Sequence, residues 1–573
     1  MKRTSAILVA AGALFASSAA PMPAPKSYTV LIRGGTIYDG SGNAPFVGDV
    51  ALKGDRIVYV GPHAPGRSAR VIDAKGKAVS PGFINMLSWA VESLIADGRG
   101  MSDTYQGVTL EVFGEGDSMG PLNPKMKRLA VKRQGDIKYP IKWTTLGQYL
   151  EFLQHKGVTP NVASFVGATT VRVHELGEKD VDPTPAQLNR MRALVRDAMK
   201  EGALGVGSAL IYSPATYAKT PELTALVGEA HKCGGMYISH MRSEGNKLLE
   251  AIDELLTISR DSGAPAEIYH FKQAGKANWG KIDAAIAKVD SARASGQRVT
   301  ANMYTYTAGA TGLDATMPPW VQSGGLEAWE KRLKDPAVRA RLIKEMRTPS
   351  NDWENLLLLS GGPQNVLLVS FKNPRLKPLT GKTLAEVAKM RGKSPEETAM
   401  DLVVEDDSRV GTVYFIMSED NVKREVGLPW MSFGSDEESP APEGVFLKSQ
   451  SHPRAYGNVA RLLGHFVRDE HATTLQDAVR RLTSLPASNL GVRQRGSLKA
   501  GYYADVVVFD PSTIEDHATY ARPAQLATGV EDVFVNGVQV MKDGRHTGAK
   551  PGRFVRGPGW TGWPGGGACK TAR

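Results

Sequence analysis

Through the middle of the chain, short apolar runs rich in β-branched and aromatic residues alternate with longer stretches whose apolar positions return every three or four residues. The short runs, such as Met236-Tyr-Ile-Ser-His240 and Glu267-Ile-Tyr-His270, read as buried strands. The longer stretches, such as Lys247-Leu-Leu-Glu-Ala-Ile-Asp-Glu-Leu-Leu-Thr-Ile258 and the segment 185–200, read as amphipathic helices. Strand-then-helix order repeated over 81–490 predicts a parallel sheet covered by helices, an α/β fold of the (β/α)8 TIM-like barrel type. A polar, less regular stretch at about 313–400 interrupts the order and reads as an insertion on one βα loop.

The two ends follow a different pattern. Segments 28–33, 47–52, 56–60 and 70–73 are short strand-like runs separated by Gly-rich turns such as Asp39-Gly-Ser-Gly-Asn43, and the same pattern returns at 504–510 and 533–541. Residues 27–80 and 491–553 therefore predict one small β-domain built from both terminal regions. Residues 554–573, rich in Gly, Pro and Trp, predict an irregular tail.

His240 and His270 each close an apolar run, 30 residues apart. One βα unit takes roughly 30 residues, so the two imidazoles are expected at the carboxyl ends of adjacent parallel strands, the face on which such barrels carry their active sites. Either histidine alone would more often be an ordinary core or loop residue; paired at strand ends they suit a metal ion.

Composition narrows the setting. With 573 residues, 42% hydrophobic and 23% charged, the chain is of ordinary globular make-up and long enough for a barrel plus a second domain. The net charge of +11 comes from dispersed basic residues whose densest cluster is Lys125-Met-Lys-Arg128 with Lys132 and Arg133. No nucleic-acid motif accompanies them, so they read as a solvated face. Met1-Lys-Arg3, the apolar run 6–16 and the small residues 17–20 read as a secretory signal over 1–20, too short to span a membrane. With no Cys near the cut and no later membrane-length run, the product is expected to be secreted or periplasmic, without a membrane anchor. Only Cys233 and Cys569 are present. A disulfide between them is possible but has no geometric support from the sequence, so the fold is expected to rest on its core.

Several segments taken together resemble the amidohydrolase superfamily and, within it, the N-acyl-D-amino-acid deacylases, or D-aminoacylases. They are Leu31-Ile-Arg-Gly-Gly-Thr-Ile-Tyr-Asp-Gly40, Pro81-Gly-Phe-Ile84, Gly202-Ala-Leu-Gly205, Tyr237-Ile-Ser-His-Met-Arg242, His270-Phe-Lys272, Ala277-Asn-Trp-Gly280, Tyr304-Thr-Tyr-Thr-Ala308, Gly434-Ser-Asp436, Ser451-His-Pro-Arg-Ala-Tyr-Gly457 and Asp543-Gly-Arg-His-Thr-Gly-Ala-Lys-Pro-Gly552. The resemblance implies a zinc-bearing barrel beside a β-sandwich, His240 and His270 as metal ligands, and Asp436 as the catalytic acid and base. It also implies Arg454, Lys272 and Tyr306 as substrate-site residues. Tyr212 is a further candidate for the pocket wall, whereas Tyr304, His452 and Arg242 fit packing or loop-fixing at least as well.

Two departures from that family matter. A His-x-His pair that usually follows Pro-Gly-Phe-Ile-Asp is replaced by Asn85-Met-Leu-Ser-Trp89, and neither Leu87 nor Trp89 can bind zinc, which disfavours a binuclear centre. The cysteine ligand expected after Gly-Val-Thr is missing from Gly107-Val-Thr-Leu-Glu-Val-Phe-Gly-Glu-Gly-Asp117. A carboxylate can replace a thiolate on zinc; Glu115 is the favoured third ligand, Asp117 is an alternative, and a purely structural loop acid is the remaining one.

The resulting expectation is one zinc ion per chain, hydrolysing the amide of N-acyl-D-amino acids to a carboxylate and a D-amino acid. A related amidase or dipeptidase acting on D-amino-acid-containing or cyclic amides, and a non-catalytic barrel that binds acylated ligands, stand as alternatives.

Overall fold

The chain is described by a computed structural model over residues 26–569, so the signal expected at 1–20 lies outside the described residues. Eight strands position the site: β1 (Phe83–Asn85), β2 (Val108–Phe113), β3 (Asn161–Ser164, resuming at Val166–Gly167), β4 (Gly205–Ala209), β5 (Met236–His240), β6 (Ala266–Ile268), β7 (Val299–Met303) and β8 (Met431–Phe433). All pair in parallel and in that order, β1 through β3 and then β3 through β8. At the far end β8 meets β1 again, with Met86 N donating to Phe433 O at 3.0 Å and Ser88 bridging Glu437 in parallel.

The local sequence explains these elements. Every residue of β4, β5 and β7 is buried, as expected of strands covered on both faces. Between β5 and β6, helix Leu248–Ser262 buries Leu248, Ala251, Ile252, Leu255 and Ile258, a single stripe at three- and four-residue spacing, and stops at Gly263 in the left-handed region. Each large apolar side chain in such a stripe contributes about 1.5–3 kcal/mol by leaving water. Helix Pro185–Glu201, between β3 and β4, opens on a capping box of Thr184 and Gln187 and closes at Gly202.

Between β7 and β8 lies an excursion with its own antiparallel sheet, Ala308–Gly312, Val366–Ser370 and Gly411–Phe415. Its separate core includes Leu313, Trp329, Leu342, Leu368, Val403 and Tyr414. It begins and ends on strands that flank the 313–400 stretch, because its first and last strands pair with each other.

The terminal regions meet in one nine-stranded sheet accompanied by a two-stranded one. The seam is the antiparallel pairing of Ala78–Pro81 with Val506–Phe509. The expected sandwich is thus, in its hydrogen bonding, a single large sheet. The tail is more constrained than its composition predicts. Val555 N donates to Val162 O, Gly557 N donates to Gly202 O, each at 2.8 Å, and Cys569 forms a disulfide with Cys233 just ahead of β5. This pairing corrects the expectation from spacing alone: the tail returns past the starts of β3, β4 and β5. No helix among the described residues is long and apolar enough to cross a membrane.

Candidate metal centre

Glu115 follows β2, His240 ends β5 and His270 follows β6, and their donor atoms lie within 4.8 Å of one another. Glu115 Oε1 is 3.1 Å from His240 Nδ1 and 2.8 Å from His270 Nε2. All three side chains are buried. The register of β5 and β6, with Ser239 opposite Ile268, sets the two imidazoles side by side. His270 adopts a positive φ of 33°, and its N–H is held by Asn302 Oδ1 at 2.9 Å. Non-glycine residues rarely adopt that region, and they collect at functional sites. Glu115 is aimed by a turn that needs its two glycines: Gly114 and Gly116 have φ of 108° and 70°, and a Cβ there would meet Phe165 O at 2.5 Å or Ala209 Cβ at 2.7 Å.

Behind the imidazoles stands a carboxylate that the sequence reading missed. Glu244 Oε1 is 2.9 Å from His270 Nδ1, Glu244 Oε2 is 3.7 Å from His240 Nε2, and Lys272 Nζ donates to Glu244 at 2.6 Å. Its only sequence signal is the four-residue spacing His240-Met-Arg-Ser-Glu244. Asp436, just beyond β8, completes the group at a φ of 52°, with its N–H donated to Leu87 O at 2.8 Å. Its turn requires Gly434, where a Cβ would meet Leu87 N at 2.6 Å.

Three acids, Glu115, Glu244 and Asp436, here face two basic side chains, Lys272 and Arg454. The imbalance shows in their acidities. Burial and Lys272 push His270 down, yet Glu244 and Glu115 outweigh them and lift it to about 9. Burial would raise Glu115 and Glu244, but the imidazoles, and Lys272 for Glu244, hold both well below the carboxylate range. Burial raises Asp436, with Arg454 opposing and Glu115 adding to the rise. A cation held between Glu115, His240 and His270 would offset the excess of carboxylates there.

On the opposite side, Arg454 Nη2 donates to Asp436 Oδ2 at 2.8 Å and to its carbonyl at 2.6 Å, while Arg454 Nε and Nη1 are buried without a partner. Tyr304 lies under the Arg454 guanidinium at 4.3 Å and 5.5 Å from Lys272 Nζ. Trp89 Nε1 is 3.1 Å from both Glu115 Oε2 and Asp436 Oδ1. Tyr212 packs edge-on against His240 at 5.2 Å between centroids, as a pocket wall requires.

Other expected residues fall elsewhere. The Tyr306 hydroxyl donates to Asp516 at 2.8 Å, and its ring is separated from His270 by His452 and Tyr304, so Tyr304 rather than Tyr306 faces the cluster. Lys272 is directed to Glu244 and to His270 Nδ1, 2.7 Å away, on the side of the His270 ring away from Glu115. Asp117 is exposed and outside the three-donor group, and Leu87 is buried in the core. Arg242 is spent on Glu254, and His452 on the carbonyl of Ala308.

The chain is similar over most of its length to known proteins. Residues 375–541 match the profile described as the amidohydrolase family. D-aminoacylase from Alcaligenes xylosoxydans xylosoxydans is 30% identical over 534 residues, which cover 92% of this chain and 98% of that protein. A crystal structure of D-aminoacylase superimposes with a TM-score of 0.77 at 31% identity, covering 92% of this chain and all of the other. The N-acyl-D-glutamate deacylase of Bordetella bronchiseptica, solved with zinc and a phosphonate mimic of the tetrahedral intermediate, gives a TM-score of 0.74 at 28% identity over 93% of this chain and 100% of its own.

Proposed function

This chain belongs to the amidohydrolase family, beside D-aminoacylase and the N-acyl-D-amino-acid deacylases, and is a hydrolase of linear amide bonds; from that premise we propose that it cleaves N-acyl-D-amino acids with one zinc ion per chain. The observation that carries the proposal is the convergence of His240 Nδ1, His270 Nε2 and Glu115 Oε1 in a buried, charge-deficient cluster. Two imidazoles and one carboxylate are a donor set that catalytic zinc accepts. Held by His240, His270 and Glu115, a zinc ion would supply Lewis acidity for an amide carbonyl and for water near neutral pH.

The chain's own groups divide the remaining work. Asp436, with its affinity for protons raised by burial, takes a proton from water and delivers it to the leaving nitrogen, which departs poorly as an anion. Arg454 fixes Asp436 through Nη2 and presents Nε and Nη1, both unpartnered, to the substrate carboxylate. Tyr304 floors that guanidinium, and Tyr212 walls the imidazole side. Lys272 and Glu244 stand behind His270 and would orient it, which for Lys272 is an alternative to the expected contact with the substrate.

The backbone contacts from β8 to β1 support a closed (β/α)8 barrel over 81–490, with the site at the carboxyl ends of its strands. The β-domain of 27–80 and 491–553 is its companion. An exported location draws support from the disulfide, which persists in oxidising compartments, together with the signal-like residues 1–20.

Zinc-loaded protein is expected to release free amine faster from N-acetyl-D-amino acids than from their L-enantiomers or from dipeptides. Absence of cleavage of every N-acyl-D compound, with dipeptides or cyclic amides turned over instead, would assign the site to a different amide.

A further inference from the structure

The indole of Trp89 lies between the two carboxylates on opposite sides of the site. Its single N–H points at Glu115 Oε2 and Asp436 Oδ1, each 3.1 Å away. The second oxygen of each acid is engaged elsewhere, Glu115 Oε1 with both imidazoles and Asp436 Oδ2 with Arg454. The ring and Asp436 are also coupled through the backbone. Asp436 N donates to Leu87 O, and Trp89 N donates to Glu437 O, each at 2.8 Å, so the two segments form a short ladder. Two buried acids facing each other repel, and a polar N–H shared between them offsets part of that repulsion without adding a formal charge. Indole nitrogen is a donor only and offers no lone pair to a metal.

We propose that Trp89 is a positioning residue that stands where a second cation would otherwise bridge Glu115 and Asp436. Its N–H holds the outward oxygen of each acid. Glu115 thereby keeps one oxygen for the ion it shares with His240 and His270, Asp436 stays turned toward the substrate, and the centre is limited to one ion. This inference rests on the metal site proposed above, and the test separates the two.

The full-length protein is stripped of metal and titrated with zinc against a chromophoric chelator, as wild type, Trp89→Phe and Trp89→His. Trp89 is partly exposed and both substitutions keep a ring, so thermal melts serve as the folding control. The wild type should take up one equivalent. Trp89→Phe should still take up one, with kcat lowered about 10-fold or more and KM within about twofold, the loss of one charge-assisted hydrogen bond at an active-site acid. Trp89→His places a third donor beside the same two carboxylate oxygens and should take up a second equivalent. If the wild type binds one zinc but Trp89→His also stops at one, or Trp89→Phe keeps full kcat, the role of Trp89 is overturned and the metal site stands. If the wild type binds no zinc, both fall.

Discussion

Glu244 is the carboxylate behind His270, with Oε1 2.9 Å from His270 Nδ1, while its Oε2 stops 3.7 Å short of His240 Nε2, which has no hydrogen-bond partner. A histidine that binds a metal through one nitrogen is oriented by what its other nitrogen meets, and loss of such a partner costs about 10–100-fold in metal affinity. Glu244→Gln should therefore weaken zinc binding by about that factor while leaving the stoichiometry at one; chelator competition at fixed pH measures it, and unchanged affinity would reduce Glu244 to packing. At this scale the sequence was readable where chemistry and position coincide. His240 and His270 end apolar runs, and Glu115, Asp436 and Arg454 stand in or beside family segments. Glu244 was not readable, since a four-residue spacing means one thing on a helix and another on a strand that turns into a loop. Which of Tyr304 and Tyr306 lies nearer His270 was not readable for a related reason. They are two residues apart in one segment, and what separates them is Asp516, which lies 210 residues from Tyr306 and takes its hydroxyl.

At the scale of elements, the site depends on loops that leave the strand ends in controlled directions. Asn85, at the end of β1, accepts from Ser435 N at 2.8 Å and donates to Ser435 Oγ at 2.8 Å, fixing the residue before Asp436. The same amide donates to Glu111 at 3.1 Å and to Asp103 at 3.3 Å. Burial pushes both of those acids up, Glu111 to about 7, so the pair retains protons in the fold that an unfolded chain would lose. Unfolding then releases a proton between the ordinary Glu value of 4.5 and about 7, and stability falls as pH rises through that window, levelling off above it. The slope from Glu111 is at most about 1.4 kcal/mol per pH unit. Glu111→Gln should flatten it, so the melting temperature of the variant minus that of the wild type should climb from about pH 5 to pH 8. A constant difference across that range would contradict the assignment. The excursion between β7 and β8 contributes as well. Glu354 accepts from Ser243 Oγ at 2.9 Å and from Glu244 N at 2.6 Å, so an inserted element steadies the loop that carries Glu244. Its polar, irregular sequence concealed this, because a latch consists of one carboxylate and leaves no periodic trace.

For the whole molecule, the alternation of strand and helix over 81–490 was enough to predict a parallel sheet covered by helices, since each βα unit repeats the same local pattern. What it could not supply was long-range closure. The seam that joins residues 78–81 to 506–509 and the bond from Cys233 to Cys569 link segments hundreds of residues apart, and neither has a local signature. Those links gather the ends of the chain around the parallel strands and leave the carboxyl ends of β2, β5, β6 and β8 to converge on one point. An anomalous difference map recorded at the zinc edge, from crystals of the zinc-loaded protein, tests that convergence most directly. The expected result is a single peak per chain, bonded to His240 Nδ1, His270 Nε2 and a Glu115 oxygen at about 2.0–2.2 Å, with the Trp89 indole and Asp436 beside it. Two peaks, or a peak elsewhere with these three side chains bare, would contradict the account.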